Sequence, residues 1–135
     1  MNKNVLLNIR SDYNGEETLN ILCDGKFSEK NGGFEISWDG SEVMGEDGEK
    51  NVVEIYGENT FVFRLGDGGD LILENGKTCA VSELDVDTMK SIPVQFFITE
   101  FKNELSSLGG KVTLGYSISN PYTGSVRKRL EISVM

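Results

Sequence analysis

Histidine is absent from the 135-residue chain. Its absence removes the commonest general base, the commonest metal ligand and every Ser-His or Cys-His nucleophile pair. The sequence also has no Gly-x-Ser-x-Gly elbow, no Gly-x-x-x-x-Gly-Lys-Ser/Thr phosphate loop and no dinucleotide-binding fingerprint. We therefore predict no catalytic residue, no metal site and no cofactor. An enzyme that uses carboxylate, lysine or cysteine chemistry at a barrel mouth is the least favoured function.

Long apolar runs and closely spaced cysteines are also absent. The N-terminal apolar stretch is broken at Asn8, and nothing downstream approaches the ~18 apolar residues of a membrane-spanning helix. Cys23 and Cys79 lie far apart in sequence, which favours free thiols in a reducing compartment. These features predict a cytoplasmic protein.

Basic residues are few, with 13 against 22 acidic residues and a net charge of −9. The resulting field repels phosphate backbones and anionic headgroups, which disfavours nucleic acid and membrane surfaces as partners. In the one basic run, Arg127-Lys128-Arg129, the alternation of a strand places Lys128 opposite its two neighbours. We interpret this run as a solvated edge strand whose charged side chains prevent pairing with another chain, with a phosphate-binding patch as the alternative.

Glycine and short alternating runs are abundant. The chain has 16 glycines and only 2 prolines, and apolar residues alternate with polar ones near residues 5–9, 19–23, 34–38, 53–55, 61–65, 71–73, 112–118 and 126–134. Turn signals separate these runs at Asn14-Gly15, Asp24-Gly25, Gly57, residues 66–69 and Asn75-Gly76. About eight to ten short strands at this spacing predict one all-β domain over residues 1–135, a single antiparallel β-barrel.

One segment is ambiguous. The apolar residues at 94, 96 and 98 alternate as in a strand, whereas those at 97, 101, 105 and 108 recur at helical spacing before Gly109-Gly110. We predict a strand over about 92–105, with a short helix near 97–108 as the alternative.

Two acidic clusters, at residues 42–49 and 85–87, carry oxygen ligands that suit calcium. Neither follows the ligand order of an EF-hand loop, so we interpret both as solvated loops, with a weak divalent-cation site as the alternative.

Three residues are candidates for ligand binding: Trp38, Arg64 and Tyr116. Aromatic residues at strand spacing usually pack in the core, but Trp38 and Tyr116 also have faces on which a ligand can stack. Arg64 alternates with Phe63 and Leu65, so it should point away from the apolar face. Either it pairs across strands with a carboxylate such as Glu54, or it anchors an anionic ligand near the barrel mouth.

Several short stretches carry a resemblance to a known family: Asn31-Gly32-Gly33-Phe34-Glu35-Ile36-Ser37-Trp38, then residues 43–48, then Phe63-Arg64-Leu65-Gly66, and finally residues 109–116. In this order and spacing the chain resembles the YwiB-like family of uncharacterised bacterial proteins. The resemblance implies a calycin-like (lipocalin-like) barrel and supplies no activity.

Two functions compete most closely. In the first, the barrel binds a small, partly apolar molecule in its lumen or at its mouth, with Trp38 and Tyr116 as walls and Arg64 as an anchor. The bulk of the inward aromatic residues argues against a wide lumen. In the second, an open sheet edge or an apolar patch meets a protein partner or a second copy of the chain. Candidate patch residues are Leu6, Leu22, Ile72 and Phe97.

Overall fold

A computed structural model of the chain describes residues 3–40, 49–64, 70–85, 90–120 and 124–135. The described residues form ten β-strands and no helix, so none of them belongs to a helix that could span a membrane. The strands are β1 (Lys3–Tyr13), β2 (Glu16–Lys30), β3 (Gly33–Gly40), β4 (Glu49–Tyr56), β5 (Thr60–Arg64), β6 (Asp70–Glu74), β7 (Cys79–Asp85), β8 (Lys90–Asn103), β9 (Gly110–Asn120) and β10 (Gly124–Val134). The predicted all-β class is confirmed.

The ten strands form one antiparallel sheet in the order β6-β5-β4-β3-β2-β1-β10-β9-β8-β7. The first and last strands pair from Leu7–Val134 to Tyr13–Lys128, and β6 lies against β7 and β8, so the sheet curls into a nearly closed barrel. Within the described ranges, the seam between β6 and β7 is the place where consecutive strands share no ladder. The barrel prediction is confirmed. The interpretation of the basic run as an edge strand is wrong, because β10 pairs on both sides, with β1 and β9.

Most of the turns predicted at glycine residues are present in the structure. Asn14 and Gly15 both have positive φ, 50° and 86°, as a tight hairpin between twisted strands requires. The turn predicted at Asp24-Gly25 is wrong, because β2 continues through it to Lys30. At Gly25 an added Cβ would collide with the Leu7 side chain, so this glycine allows a close approach across the lumen face rather than a reversal of the chain.

The ambiguous segment is a strand, as predicted, and the alternative helix near 97–108 is wrong. A bulge between Ile98 and Glu100 shifts the alternation, so that Phe101 joins the inward set after Ile98. Phe97 faces outward and is half-exposed, and Leu108 lies almost fully exposed in the turn that follows β8. The helical spacing in the sequence is therefore the combined effect of a bulge and a turn.

Strand β7 is missing from the sequence prediction. Only Cys79 and Val81 alternate clearly before the acidic end of the strand, and β7 pairs with β8 alone. Outside the described residues lie residues 42–48 of the first acidic cluster, the glycine turn at 66–69 and residues 86–87 of the second acidic cluster.

The barrel lumen is packed toward one end, which we call the closed end. This end carries the turns at residues 31–32, 57–59, 75–78 and 104–109. Phe61 is fully buried there, and its ring lies 5.9 Å from that of Phe101, centroid to centroid. The Asn103 side-chain amide donates a hydrogen bond of 2.9 Å to the Gly57 carbonyl and so ties the turn after β4 to the end of β8. The opposite end, which carries the Asn14-Gly15 hairpin, is the open end.

Candidate functional site

A cavity of about 210 Å³ lies at the open end of the barrel. Its described lining residues come from seven of the ten strands and face mostly inward. They include Leu19, Trp38, Phe63, Tyr116, Lys128 and Leu130. Because an apolar cavity of ~150 Å³ suffices to hold benzene, the cavity has room for a molecule of about one ring.

Three aromatic side chains form the cavity walls: Trp38 on β3, Phe63 on β5 and Tyr116 on β9. The rings of Phe63 and Tyr116 meet across the lumen with centroids 6.1 Å apart, although their strands are not neighbours in the sheet. Trp38 is 7% exposed, and its indole N–H is buried without a hydrogen-bond partner among the described residues. Burial raises the pKa of the Tyr116 hydroxyl, which therefore remains protonated and able to donate at neutral pH.

Two of the three sequence-predicted site residues, Trp38 and Tyr116, are thus brought to one cavity. Arg64 also lines it, but its guanidinium is engaged on the outer surface. Its Nε donates to Glu54 Oε2 at 2.7 Å, and its second contact is with Asp70. The predicted cross-strand pair with Glu54 is confirmed. To anchor a ligand, Arg64 would have to leave these two carboxylates.

Lys128, like Arg129, is a cationic lining residue that was not predicted for the site. It lies opposite Tyr13 and Tyr116 in the β1–β10 and β10–β9 ladders, on the inward side of β10 at the open end. The prediction that Lys128 faces opposite to its two arginine neighbours is confirmed, since Arg129 contacts carboxylates outside the lumen. Within the described part of the chain, no carboxylate lies within ion-pair distance of the Lys128 ammonium group.

The outer wall of the barrel contains a buried carboxylate, Glu54, which is 2% exposed. It accepts hydrogen bonds from Arg64, from the Tyr56 hydroxyl and from Lys30 Nζ at 3.1 Å. The pKa of Glu54 is lowered from 4.5 to about 2. The hydrogen bond from Arg64 is the largest cause, the hydrogen bonds from Tyr56 and Lys30 add to it, and burial opposes it. Gly33 leaves the space into which the Tyr56 ring packs. The ionised, fully bonded carboxylate is a structural element of the wall.

Arg129, near the open end, is also paired. Arg129 donates to Glu100 at 2.9 Å and to Glu131 at 2.6 Å. Cys23 and Cys79 are free thiols, and burial is the main cause that raises the pKa of Cys23. Over residues 3–40, 49–64, 70–85, 90–120 and 124–135, no cluster of three Cys, Asp or Glu side chains could hold a metal ion.

The exposed apolar residues are divided between two regions. Leu6 and Leu22 lie on the neighbouring strands β1 and β2, whereas Ile72 and Phe97 lie on β6 and β8, beside the seam. Strands β3, β4 and β5 separate β2 from β6. The four residues therefore do not form one continuous patch, and the interaction surface predicted from them stays a prediction.

These features define a class: an antiparallel barrel of ten strands, nearly closed, packed at one end and hollow at the other. The crystal structure of the YwiB protein from Bacillus subtilis has the same fold, with a TM-score of 0.63 over 99% of this chain and 93% of that chain, at 10% sequence identity. No family model and no curated protein matches the chain. The resemblance to the YwiB-like family is thus confirmed at the level of the fold.

Proposed function

We propose that the protein binds a small, partly apolar molecule in the cavity at the open end. The observation that carries this proposal is the cavity itself, with aromatic walls from Trp38, Phe63 and Tyr116 beside the buried apolar core. Apolar walls with a few polar groups are the usual composition of small-molecule sites. The implied calycin-like architecture agrees with this role by analogy of fold, and we keep the cytoplasm as the expected location.

The size of the cavity sets the expected affinity. A one-ring ligand has about nine non-hydrogen atoms, and ligands of this size gain roughly 0.3 to 1.5 kcal/mol per atom. Taking about 0.6 kcal/mol per atom gives a Kd on the order of 0.1 mM. A natural ligand that also extends beyond the cavity mouth would bind more tightly.

The single tryptophan of the chain reports on this site directly. Trp38 forms part of the cavity wall, so a one-ring compound that enters the cavity should change its fluorescence in a saturable way. Native mass spectrometry of protein purified from its own host would show the natural ligand and the oligomeric state together.

A matched pair of variants on β2 tests the location. Leu19→Phe adds bulk inside the cavity, and Leu22→Phe adds the same bulk on the outer face, where the side chain is 61% exposed. We expect Leu19→Phe to weaken ring binding at least tenfold and Leu22→Phe to leave it unchanged. Equal binding by both variants would place the ligand elsewhere and overturn the proposal.

The second candidate function is a scaffold or homodimer that forms through a sheet edge. It is supported by the seam, where β6 and β7 each have one edge without a ladder partner in the described residues, and by exposed Ile72 on β6. Unpaired strand edges are templates for strand addition. Light scattering is the test: a concentration-dependent dimer that Ile72→Lys abolishes supports this function, and a strict monomer contradicts self-association through the seam.

A further inference from the structure

We propose that the ligand is an anion, a single-ring carboxylate, and that Lys128 recognises its charge. The inference rests on the proposed function and adds to it the chemical class of the ligand. It follows from three observations: the charge balance of the cavity lining, the position of Lys128 beside Tyr116, and the volume of the cavity.

Among the described residues, the cavity lining contains three cationic side chains, Arg64, Lys128 and Arg129, and no acidic one. The two arginines are each matched by two carboxylates on the outer surface, Arg64 by Glu54 and Asp70, and Arg129 by Glu100 and Glu131. Lys128 has no such match in the described part of the chain. The described part of the lining therefore has one uncompensated positive charge.

The location of this charge is informative because the chain as a whole carries a net charge of −9. A free anion is repelled by the mean field of such a protein, so an anion bound here needs a local cation. Lys128 is half-buried and shares its site with aromatic rings, in surroundings where an unpaired charge is less stable than in water. A ligand carboxylate would supply the missing partner.

A second polar group lies beside Lys128. Lys128 and Tyr116 are direct partners in the β10–β9 ladder, and both line the cavity. The Tyr116 hydroxyl is protonated at neutral pH and donates hydrogen bonds, as an ammonium group does. A carboxylate at this end of the cavity would thus meet two donors, while the ring of the ligand packs between Trp38 and Phe63.

The volume limits the remainder of the ligand. At about 210 Å³ the cavity exceeds the ~150 Å³ that hold benzene by roughly the volume of two waters, at ~30 Å³ each. This excess fits one carboxylate. Benzoate is therefore a suitable probe, and benzamide is its neutral control, since the two differ in charge and hardly in shape.

The test compares benzoate with benzamide on the wild-type protein and on Lys128→Met, using Trp38 fluorescence and calorimetry. Hydrogen bonds to charged groups contribute about 1.5 kcal/mol or more, so we expect benzoate to bind about tenfold more tightly than benzamide. In Lys128→Met the two should bind equally, at the affinity of benzamide for the wild type. Lys111→Met removes the same charge from an exposed position on β9 and should keep the preference.

The outcomes separate the two proposals. If both compounds bind but wild type and Lys128→Met show no preference for benzoate, the charge assignment is wrong and the proposed function stands. If neither compound changes the fluorescence or releases heat, the cavity does not bind one-ring molecules and both proposals fail. Lys128→Gln, a smaller change in polarity, serves as a second variant in case Lys128→Met unfolds.

Discussion

The two ends of the barrel are similar in aromatic content and differ in packing. Both ends contribute aromatic residues that alternate with polar ones along the strands. At the closed end, the buried rings of Phe61 and Phe101 pack against each other, whereas at the open end Trp38, Phe63 and Tyr116 surround a space of about 210 Å³. The difference shows that aromatic content alone does not decide whether a barrel is filled.

The polar residues on the inward faces account for much of this difference. The buried core cluster toward the closed end includes Phe61 and Phe101, and the open end includes Ser11, Asn51 and Lys128 among its lining residues. Polar and charged side chains lose hydration when they are buried without partners, so they do not fill a lumen as phenylalanine does. They remain at a mouth that water or a ligand can occupy.

The largest expected effect is on the packing of the closed end. Phe61→Ala should destabilise the protein by about 4 kcal/mol, because it removes a fully buried ring that contacts Phe63 and Phe101. Phe63→Ala, beside the existing cavity, should cost about half as much, and the half-exposed Phe97→Ala less than ~1 kcal/mol. Urea unfolding measures all three. Equal losses for Phe61→Ala and Phe63→Ala would show that the two ends are packed alike.

The next effect concerns the outer wall, which is stabilised by charge instead of packing. The folded-state pKa of Glu54, about 2, lies below its ordinary value of 4.5. Its contribution to stability is therefore fully present above pH 4.5 and is lost as the pH falls toward 2. We expect Glu54→Gln to cost about 3 kcal/mol at pH 7 and much less near pH 2.

Urea unfolding of wild type and Glu54→Gln from pH 7 to pH 2 checks this expectation. Glu16→Gln, at an exposed position on β2, is the control and should follow the wild-type curve. A cost for Glu54→Gln that stays constant over this pH range would show that the carboxylate is not ionised in the folded protein.

The smallest expected effect is the change in unfolding free energy when a larger side chain is introduced, either into the packed lumen or into the cavity. Leu7 is fully buried, with its side chain against Gly25, so Leu7→Phe should destabilise by about 2 kcal/mol. Leu19 lines the cavity, and Leu19→Phe should change the unfolding free energy by less than ~1 kcal/mol because the new atoms enter existing space. Thermal or urea unfolding measures both. A larger loss for Leu19→Phe would mean that the cavity does not admit added atoms.

The sequence predicted the barrel well because its signals are local. Alternation and the Asn14-Gly15 turn depend on neighbouring residues and survive in the fold. The Glu54–Arg64 pair was also predictable from the sequence, because the alternation of residues along the strand indicates that Arg64 points outward. The errors arose where a local signal has two meanings: Gly25 resembles a turn but serves a close packing contact with Leu7, and the bulge near Ile98 imitates a helical period.

The site was only partly predictable for a related reason. Trp38 and Tyr116 were selected by residue type, but their meeting at one cavity depends on the pairing of β3, β9 and the strands between them. Lys128 was correctly placed on the face opposite its neighbours, yet that face is the lumen only because β10 pairs with both β1 and β9. An edge strand would have left the same lysine in solvent.

The open end of the barrel is the proposed binding site, and a crystal structure with benzoate tests this most directly. We predict electron density for the ring inside the cavity between Trp38 and Phe63, with the carboxylate within ~3.2 Å of Lys128 Nζ. Benzoate density confined to the outer surface, with only water in the cavity at saturating ligand, would contradict the proposal.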